Sequence, residues 1–364
     1  MKSFIHLIEE VQKKGLCHHC GGCVTFCTAI NYGALEIDEH GLPRFADQNK
    51  CIECGLCYSI CPEIDELEQE TKKKIGWKPP IGNVLETHIA RATDGFTRTK
   101  ATDGGVVTGL LMHLLERGHI DGAIVARQAG PFNREPCLAV TRDELIDAAG
   151  FHFETSHGMK HFSHDYSTFA PSVQEFRPML QKGLRRVAMV GTPCQIKALR
   201  RMEVLGIVPS DVIKYRFGLF CSGNFTFGDA ERDKLSELGN FKWSDIKKVN
   251  VKQQLMIHLT HGDVKTIDLA RLDFMKRYAC HFCKDYSAEY ADISFGGIGA
   301  EEGWTTVITR TPLGRAIFAD AINTTLELYK KEDKPRTLLE IMDIIKKASS
   351  KKQKSAEEYR SQHV

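Results

Sequence analysis

Eight cysteines within residues 17–61 form two runs with one shared spacing, C-x2-C-x2-C-x3-C. Each cysteine of the second run lies 34 positions after its counterpart in the first, so the segment is an internal repeat. Pro62 follows the last cysteine of the second run, whereas Thr28 follows the last cysteine of the first. A segment with this many regularly spaced thiols has to fold around whatever the thiols bind. The eight positions are Cys17, Cys20, Cys23, Cys27, Cys51, Cys54, Cys57 and Cys61.

This spacing is typical of ferredoxin-like modules with two 4Fe–4S clusters, in which the fourth cysteine of each run binds the other run's cluster. Three thiolates close together in sequence wrap one corner of a cube, and the fourth ligand comes from elsewhere. The alternatives are weaker, because zinc sites separate their ligand pairs more widely and disulfides suit small secreted domains. The sequence therefore predicts two cluster sites. One takes Cys17, Cys20, Cys23 and Cys61, and the other takes Cys51, Cys54, Cys57 and Cys27.

The composition excludes several classes of protein. A net charge of +2 over 364 residues gives no reason to expect a nucleic acid or a membrane surface as partner. No stretch of about 18 apolar residues occurs, so no membrane-spanning helix is predicted. The N-terminus has too little apolar content for a signal peptide. Thirteen cysteines without an export signal indicate metal ligation in a reducing cytoplasm.

The chain divides into three predicted parts. Residues 1–75 form the ferredoxin-like domain, 76–345 form a second domain, and 346–364 form a charged tail that is helical with a frayed end. Between the two cysteine runs, residues 33–45 predict a hairpin that turns at Gly41. Such a hairpin fits the ferredoxin-like interpretation of the first part.

Predicted strands and helices alternate in the second part, so the expected fold class is mixed: a two-cluster ferredoxin-like domain followed by an α/β domain. Apolar residues recur at helical spacing over 106–115, with Asp103 as a candidate N-cap. Residues 195–205 and 313–329 also predict helices, and 255–269 predicts a hairpin. The predicted strands cover 120–126, 187–190, 212–220, 293–295 and 305–309.

Five cysteines lie outside the ferredoxin-like repeat. Cys280 and Cys283 form a C-x2-C pair, and Cys194 and Cys221 each follow an apparent strand. Four thiols from three loops can close a tetrahedral site for zinc or an iron–sulfur cluster. Buried, unligated thiols remain an equal alternative from the spacing alone. Cys137 is left over in either case.

Several motifs of the second part occur together in one known family. They cover residues 102–111 with 120–123, 190–195, 218–221, and 280–292 continuing to 299. In this order they resemble the coenzyme F420 hydrogenase/dehydrogenase beta-subunit family over residues 85 to about 320. The resemblance implies a flavoprotein that binds FAD and exchanges hydride with the deazaflavin coenzyme F420. It also implies a third 4Fe–4S cluster on Cys194, Cys221, Cys280 and Cys283.

The glycines suggest where the flavin binds. No G-x-G-x-x-G fingerprint occurs, but Gly104 and Gly105 precede an apparent helix whose N-terminus favours a phosphate. We expect this pair to cradle the FAD pyrophosphate, with tight packing as the alternative role. Gly296 and Gly297 would allow close approach of the flavin. The full set of expected contacts is Asp103, Gly104, Gly105, Thr108, Lys160, Gly191, Thr192, Gly296, Gly297, Trp304 and Arg310.

One segment departs from the family pattern. The family usually has Ser-Gly-Ser/Thr-Lys-Tyr here, whereas this chain has Ser156-His157-Gly158-Met159-Lys160-His161. Lys160 keeps the lysine position, and His161 replaces the aromatic residue. The histidines of this segment and its neighbours are expected to be solvated loop residues rather than metal ligands. They are His152, His157, His161 and His164.

The resemblance implies an enzyme that oxidises reduced coenzyme F420 and sends electrons through FAD and three clusters. The layout is similar to archaeal membrane-bound dehydrogenases for this coenzyme. The expected partner is therefore a membrane complex that reduces quinone or methanophenazine, with peripheral attachment at the inner face, or a ferredoxin. The alternatives are an electron-input subunit that serves a hydrogenase, formate dehydrogenase or sulfite reductase, and a pure electron-transfer subunit without flavin. Exposed cations such as Arg127, Lys160 and Arg310 would guide the anionic coenzyme.

Overall fold

The cysteine-rich N-terminal segment folds as short helices around one hairpin. The computed structural model describes residues 2–29, 32–38, 41–128, 134–150, 182–207, 210–225, 228–251, 254–330 and 336–363. The predicted hairpin is confirmed, with Leu35 opposite Phe45 and with Gly41 at φ +80° in the turn. The elements of this segment are α1 (Phe4–Leu7), α2 (Gly22–Ala29), β1 (Leu35–Ile37), β2 (Pro43–Phe45), α3 (Leu56–Ser59) and α4 (Glu68–Lys74).

The second part is built on an eight-stranded mixed sheet. Its strands are β3 (Glu86–Ala92), β4 (Gly122–Gln128), β5 (Arg134–Ala139), β6 (Val187–Gly191), β7 (Ile213–Leu219), β11 (Ile293–Gly296), β12 (Thr305–Thr309) and β13 (Leu326–Leu328). The spatial order is β13-β3-β12-β11-β7-β6-β4-β5. The four central strands β4, β6, β7 and β11 are parallel, and the outer strands pair antiparallel. Parallel strands are covered on both faces, which explains their continuous apolar runs.

Helices lie on both faces of this sheet. They are α5 (Gly95–Lys100), α6 (Val106–Glu116), α7 (Arg142–Asp147), α8 (Pro193–Val204) and α10 (Pro312–Ala321), whereas α9 (Asp229–Gly239) packs against a smaller sheet. Leu110 of α6 and Phe318 of α10 share one buried core, whereas Leu199 of α8 belongs to the core on the opposite face.

A separate three-stranded antiparallel sheet contains β8 (Ile246–Val251), β9 (Gln254–Leu259) and β10 (Val264–Asp268). The predicted α/β pattern is thus confirmed, and so is the hairpin over 255–269.

The N-terminal module packs directly against the large sheet. Phe26 and Ile60 are fully buried in the same core as Met189 of β6 and Leu199 of α8. At the rim of this contact, Glu68 of α4 forms ion pairs with Lys197 and Arg201 of α8. The cysteine runs are therefore held against α8 and the face of the sheet that α8 covers.

Two predicted elements differ from the structure. The helix expected over 313–329 ends at Ala321, and β13 follows, because Leu326 is completely buried where this segment pairs with β3. Asp103 is not the N-cap of α6. Gly105 holds that position with φ +72°, a left-handed conformation that suits glycine.

The C-terminal residues form one long helix, α11 (Leu338–His363). The predicted helix at this end is confirmed, since it continues through His363 and packs against the rest of the chain. Ile341, Ile345 and Ala356 are buried along one face, and Tyr359 contacts the ring of Phe282. Among the described residues, no helix is both long enough and apolar enough to cross a bilayer.

Candidate metal and cofactor site

The eight cysteines of the repeat line two separate cavities. The first cavity contains Cys17, Cys20, Cys23 and Cys61. The second contains Cys27, Cys51, Cys54 and Cys57. Each cavity therefore takes three thiols from one run and the fourth from the other, which is the grouping that the spacing predicts.

Burial makes these thiols hard to ionise without a cation. It raises the pKa of Cys17 to about 12 and that of Cys57 to about 12, and neighbouring cysteines add to both shifts. The pKa of Cys23 is raised well above its ordinary value by burial and by the nearby Cys20, Cys17, Cys61 and Cys57. Bound iron supplies the positive charge that stabilises grouped thiolates.

The structure brings the four remaining predicted ligands into a third group. Cys194 lies in the first turn of α8, the helix that follows β6, and Cys221 follows β7. Cys280 lies in the short 3-10 turn Tyr278–His281, and Cys283 follows it. Burial raises the pKa of Cys194 well above its ordinary value, and the nearby thiols of Cys20, Cys283 and Cys221 contribute. Because Cys194 interacts with Cys20, the third group lies beside the first cavity.

The donor set of this third group fits a 4Fe–4S cluster. Four thiols from three loops lie close enough to interact with one another, and the backbone N–H of Asn224 donates a hydrogen bond to Cys280 Sγ at 3.3 Å. Hydrogen bonds to sulfur and burial are features that tune such clusters. Among the described residues, no three His, Cys, Asp or Glu side chains converge on a point suited to a single metal ion.

Two cationic side chains lie beside the third cysteine group, and neither was predicted from the sequence. Arg277 Nη1 donates to the His18 carbonyl at 3.3 Å. Burial lowers the pKa of Arg277, while the thiols of Cys280, Cys194, Cys17 and Cys221 oppose that shift. Arg277 therefore lies between the third group and the first cavity. Its place three residues before a C-x2-C pair was the available sequence clue.

The second cation is Lys352 of α11. Its Nζ donates to the Cys221 carbonyl at 2.7 Å and to the Asp285 carbonyl at 2.8 Å. Burial opposes the charge of Lys352, but Cys283, Cys221 and Cys280 outweigh this effect and raise its pKa above the ordinary value. No sequence pattern indicated this lysine, because it lies more than 60 residues from the nearest cysteine.

The first predicted glycine pair has a partly structural role. The Gly104 N–H donates to Thr305 Oγ1 at 3.0 Å, and a Cβ on Gly104 would lie 2.8 Å from the Ala90 carbonyl oxygen. The Gly104 amide is therefore engaged within the protein, which favours the tight-packing role for this residue. Gly105 is the N-cap of α6, and Thr108 is buried within the helix.

The second glycine pair lies close to the first. A Cβ on Gly297 would lie 2.8 Å from Asp103 Oδ2, so the loops after β11 and before α6 meet. Gly296 packs against the ring of Phe220, which directly precedes Cys221. Both pairs thus lie at the ends of the sheet near the third cysteine group. Crevices at the carboxyl ends of parallel strands are common ligand sites.

Gly191 and Thr192 mark the end of β6 and are engaged with α8. Thr192 caps this helix with Gln195, and its Oγ1 lies 3.3 Å from Cys194 Sγ. A Cβ on Gly191 would lie 3.0 Å from Gln195 Oε1. These contacts place both residues beside the third cysteine group.

Arg310 does not line an open site, which corrects that prediction. The Arg310 side chain is buried, with 1 % of the residue exposed. Its guanidinium donates hydrogen bonds to the hydroxyl of Ser294 and to the carbonyl and hydroxyl oxygens of Ser287. It also donates to the backbone carbonyls of Ile81 and Asn83. A cation held this way ties the linker to the sheet and is not available to an anionic coenzyme.

Trp304 is half-buried, with the Arg91 guanidinium 4.3 Å from its ring centroid. The ring of Tyr329 packs edge-on against it at 4.4 Å between centroids. Lys160 and the histidines 152, 157, 161 and 164 lie outside the described residues.

Family models match both parts of the chain. The model of the N-terminal region of the coenzyme F420 hydrogenase/dehydrogenase beta subunit matches residues 87–163, and the model of its C-terminal region matches 184–334. The beta subunit of coenzyme F420 hydrogenase from Methanothermobacter thermautotrophicus is 32% identical over 284 residues, which cover 76% of this chain and 94% of the relative. The chain belongs to this family. A 4Fe-4S dicluster domain model matches residues 9–62, so the N-terminal module is of that type.

Two further relatives extend the family comparison. The F subunit of the F420H2 dehydrogenase from Methanosarcina mazei is 28% identical over 335 residues, covering 89% of this chain and 87% of the relative. A chain of the F420-reducing nickel–iron hydrogenase complex from Methanosarcina barkeri matches with a TM-score of 0.67 and 27% identity, covering 79% of this chain and 94% of that chain. The family thus comprises F420-linked, iron–sulfur oxidoreductase subunits, and the predicted fold class is confirmed.

Proposed function

We propose that this chain oxidises reduced coenzyme F420 at a bound FAD and delivers the electrons singly, through three 4Fe–4S clusters, to a partner protein. The observation that carries the proposal is the convergence of Cys194, Cys221, Cys280 and Cys283 beside the first ferredoxin-like cavity. FAD supplies the required chemistry, since a flavin accepts hydride and releases electrons one at a time. Hydride transfer needs no acid–base pair, and no catalytic side chain is assigned.

The flavin site is proposed at the ends of β6, β7 and β11. Asp103, Gly105 and Thr108 lie at the start of α6, where backbone N–H groups and the helix dipole favour a pyrophosphate. Gly297 lies against Asp103, and Gly296 against Phe220. Phe220 adjoins Cys221, so a flavin bound here would lie next to the third cluster. Lys160 remains a predicted contact of the same cofactor.

The thiols that lie next to one another support one order of electron transfer between the three clusters. Cys194 of the third group interacts with Cys20 of the first cavity, and Cys23 of the first cavity interacts with Cys57 of the second. Electrons would therefore pass from the flavin to the third cluster, then to the first cavity and last to the second. Ile52, beside the second cavity, is 59% exposed. The partner would accept electrons at this face.

Similarity to the F subunit of an F420H2 dehydrogenase supports a dehydrogenase complex as partner, because that alignment includes 89% of this chain. We propose that this complex lies at the membrane, as the resemblance of the sequence implies. Similarity to the hydrogenase beta subunit over 94% of that relative favours a second candidate, an electron-input subunit of a hydrogenase. The two candidates share the cofactors and differ in the acceptor. Reconstitution with each purified acceptor complex would distinguish them.

Anaerobic purification tests the proposal directly. We expect about twelve irons per chain, four for each cluster, together with extractable FAD. Reduced coenzyme F420 should then bleach a one-electron dye in the presence of the protein. About eight irons without flavin would reduce the chain to a ferredoxin-type protein, and a full cofactor content without dye bleaching would exclude coenzyme F420 as the donor.

A further inference from the structure

Lys352 of α11 connects two loops that carry cysteines of the third group. One loop follows β7 and contains Cys221, and the other contains Cys283 and Asp285. The Lys352 ammonium donates one hydrogen bond to the backbone carbonyl of Cys221, at 2.7 Å, and one to that of Asp285, at 2.8 Å. A single side chain from the far end of the sequence thus holds both loops at a fixed distance.

The same ammonium brings a positive charge from α11 to this group. The thiols of Cys283, Cys221 and Cys280 and the Asp285 carboxyl all interact with its charge. Lys276, from the segment before the C-x2-C pair, also interacts with the charge of Lys352. Arg277 interacts with Cys280, Cys194 and Cys221 of the same group. By contrast, the side chain of Lys354 on the same helix is 80% exposed.

The helix does not need Lys352 in order to dock. Ile341, Ile345 and Ala356 are almost fully buried, and Tyr359 packs against Phe282 with ring centroids 5.1 Å apart. Arg360 adds an ion pair to Glu63 at 2.9 Å. These contacts flank Lys352 on both sides along the helix, so its hydrogen bonds and charge serve the cysteine loops rather than the attachment of α11.

We propose that Lys352 is a positioning residue of the third 4Fe–4S cluster, which fixes the two ligand loops and raises the reduction potential of that cluster by its positive charge. The inference rests on the proposed function, in which these four cysteines bind a cluster. Reduction adds negative charge to a cluster, so a nearby fixed cation favours the reduced form. Charge, hydrogen bonding and burial are the means by which proteins tune these potentials.

The test compares the full-length chain with Lys352→Met, Lys352→Arg and Lys354→Met, all purified anaerobically. Methionine keeps much of the length of the side chain and removes the charge, and Lys354→Met removes an exposed lysine of the same helix. Iron is counted per chain, and the potential of each cluster is followed by EPR during a redox titration. The signal of the third cluster is identified as the one lost in Cys280→Ala.

In Lys352→Met we expect the third cluster alone to shift to a more negative potential, by about a tenfold change in its reduction equilibrium, or about 59 mV for one electron. Lys352→Arg should keep the original potential, as should Lys354→Met. Selective loss of that cluster in Lys352→Met with retention in Lys352→Arg would also support the proposal. An unchanged potential, equal shifts of all clusters, or the same defect in Lys352→Arg would overturn it. Absence of a third cluster from the unmodified chain would instead refute the proposed function.

Discussion

At the scale of single residues, the cysteines divide into those that lie in groups of four and one that lies apart from every group. Twelve of the thirteen cysteines fall into three groups of four, two around cavities and one at the ends of the central strands. Cys137 lies on β5, at the edge of the large sheet. This difference allows a matched test in which the same substitution is made inside and outside a group.

Cys280→Ala should remove about four irons per chain and leave the signals of the two ferredoxin-type clusters intact, because one missing thiolate opens the third site. Iron analysis and EPR of the reduced protein measure this. Cys137→Ala is the control and should retain all the iron. If Cys280→Ala kept the full iron content, Cys280 would not be a ligand.

Gly296→Ala should disturb the junction between the proposed flavin site and Cys221. The added methyl group would collide with the Phe220 ring, which has to move. Overpacking of this kind costs about 1–3 kcal/mol of folding free energy. We expect a lower thermal unfolding midpoint and less bound flavin. Gly95→Ala, whose methyl group would meet only the Arg98 side chain at 3.7 Å, should leave both unchanged; an equal loss in the two variants would contradict this explanation.

At the scale of elements, the junction between α4 and α8 joins the N-terminal module to the large sheet. Glu68 of α4 accepts a hydrogen bond from Tyr290 at 2.6 Å and pairs with Lys197 at 2.8 Å and Arg201 at 3.0 Å. Burial opposes ionisation of Glu68, but Lys197, Tyr290 and Arg201 outweigh it and lower its pKa to about 2. The ionised carboxylate therefore stabilises the folded state.

The pH dependence of this junction follows from the lowered pKa. The contribution of Glu68 is fully present above the ordinary pKa of 4.5 and is lost as the pH falls from there toward about 2. Glu68→Gln should lower the unfolding midpoint at neutral pH, and the difference from the unmodified chain should shrink below pH 4.5. Thermal unfolding of both proteins across this range measures it. Glu66→Gln, which changes an exposed glutamate nearby, is the control. If the difference in midpoint between Glu68→Gln and the unmodified chain grew as the pH fell, the stabilising role of the ionised Glu68 would be contradicted.

At the scale of the whole molecule, the third thiol group lies next to the first cavity, and the first cavity lies next to the second. The N-terminal module and the sheet share one core through Phe26 and Ile60, and α11 contacts both parts. A single chain therefore holds the proposed flavin site and the exit cluster in a fixed relation. The division at residues 75 and 345 remains a prediction, and the packing across both positions is extensive.

Cys54→Ala should block the transfer of electrons to a protein acceptor while electrons still enter the protein from coenzyme F420. Loss of the second-cavity cluster leaves the proposed flavin and third cluster in place, so dye reduction by coenzyme F420 should persist. Transfer to a protein acceptor should fall to the level of the acceptor without enzyme. Steady-state assays with a dye and with the acceptor measure the two rates. Undiminished transfer to the protein acceptor would show that electrons leave from another cluster.

The sequence alone predicted the two thiol groups of the repeat and most of the elements in order, because cysteine spacing and apolar periodicity are local properties of the chain. The pairing of Cys61 with the first run and of Cys27 with the second followed from this repeat. The third thiol group followed from the family resemblance and not from spacing. Only the tertiary structure decided which side chains approach from a distance. Lys352 reaches the third group because α11 docks across the molecule, Arg310 is buried because it binds the linker, and residues 326–328 form a strand because β3 lies beside them. Such outcomes depend on packing between distant segments, which no local pattern encodes.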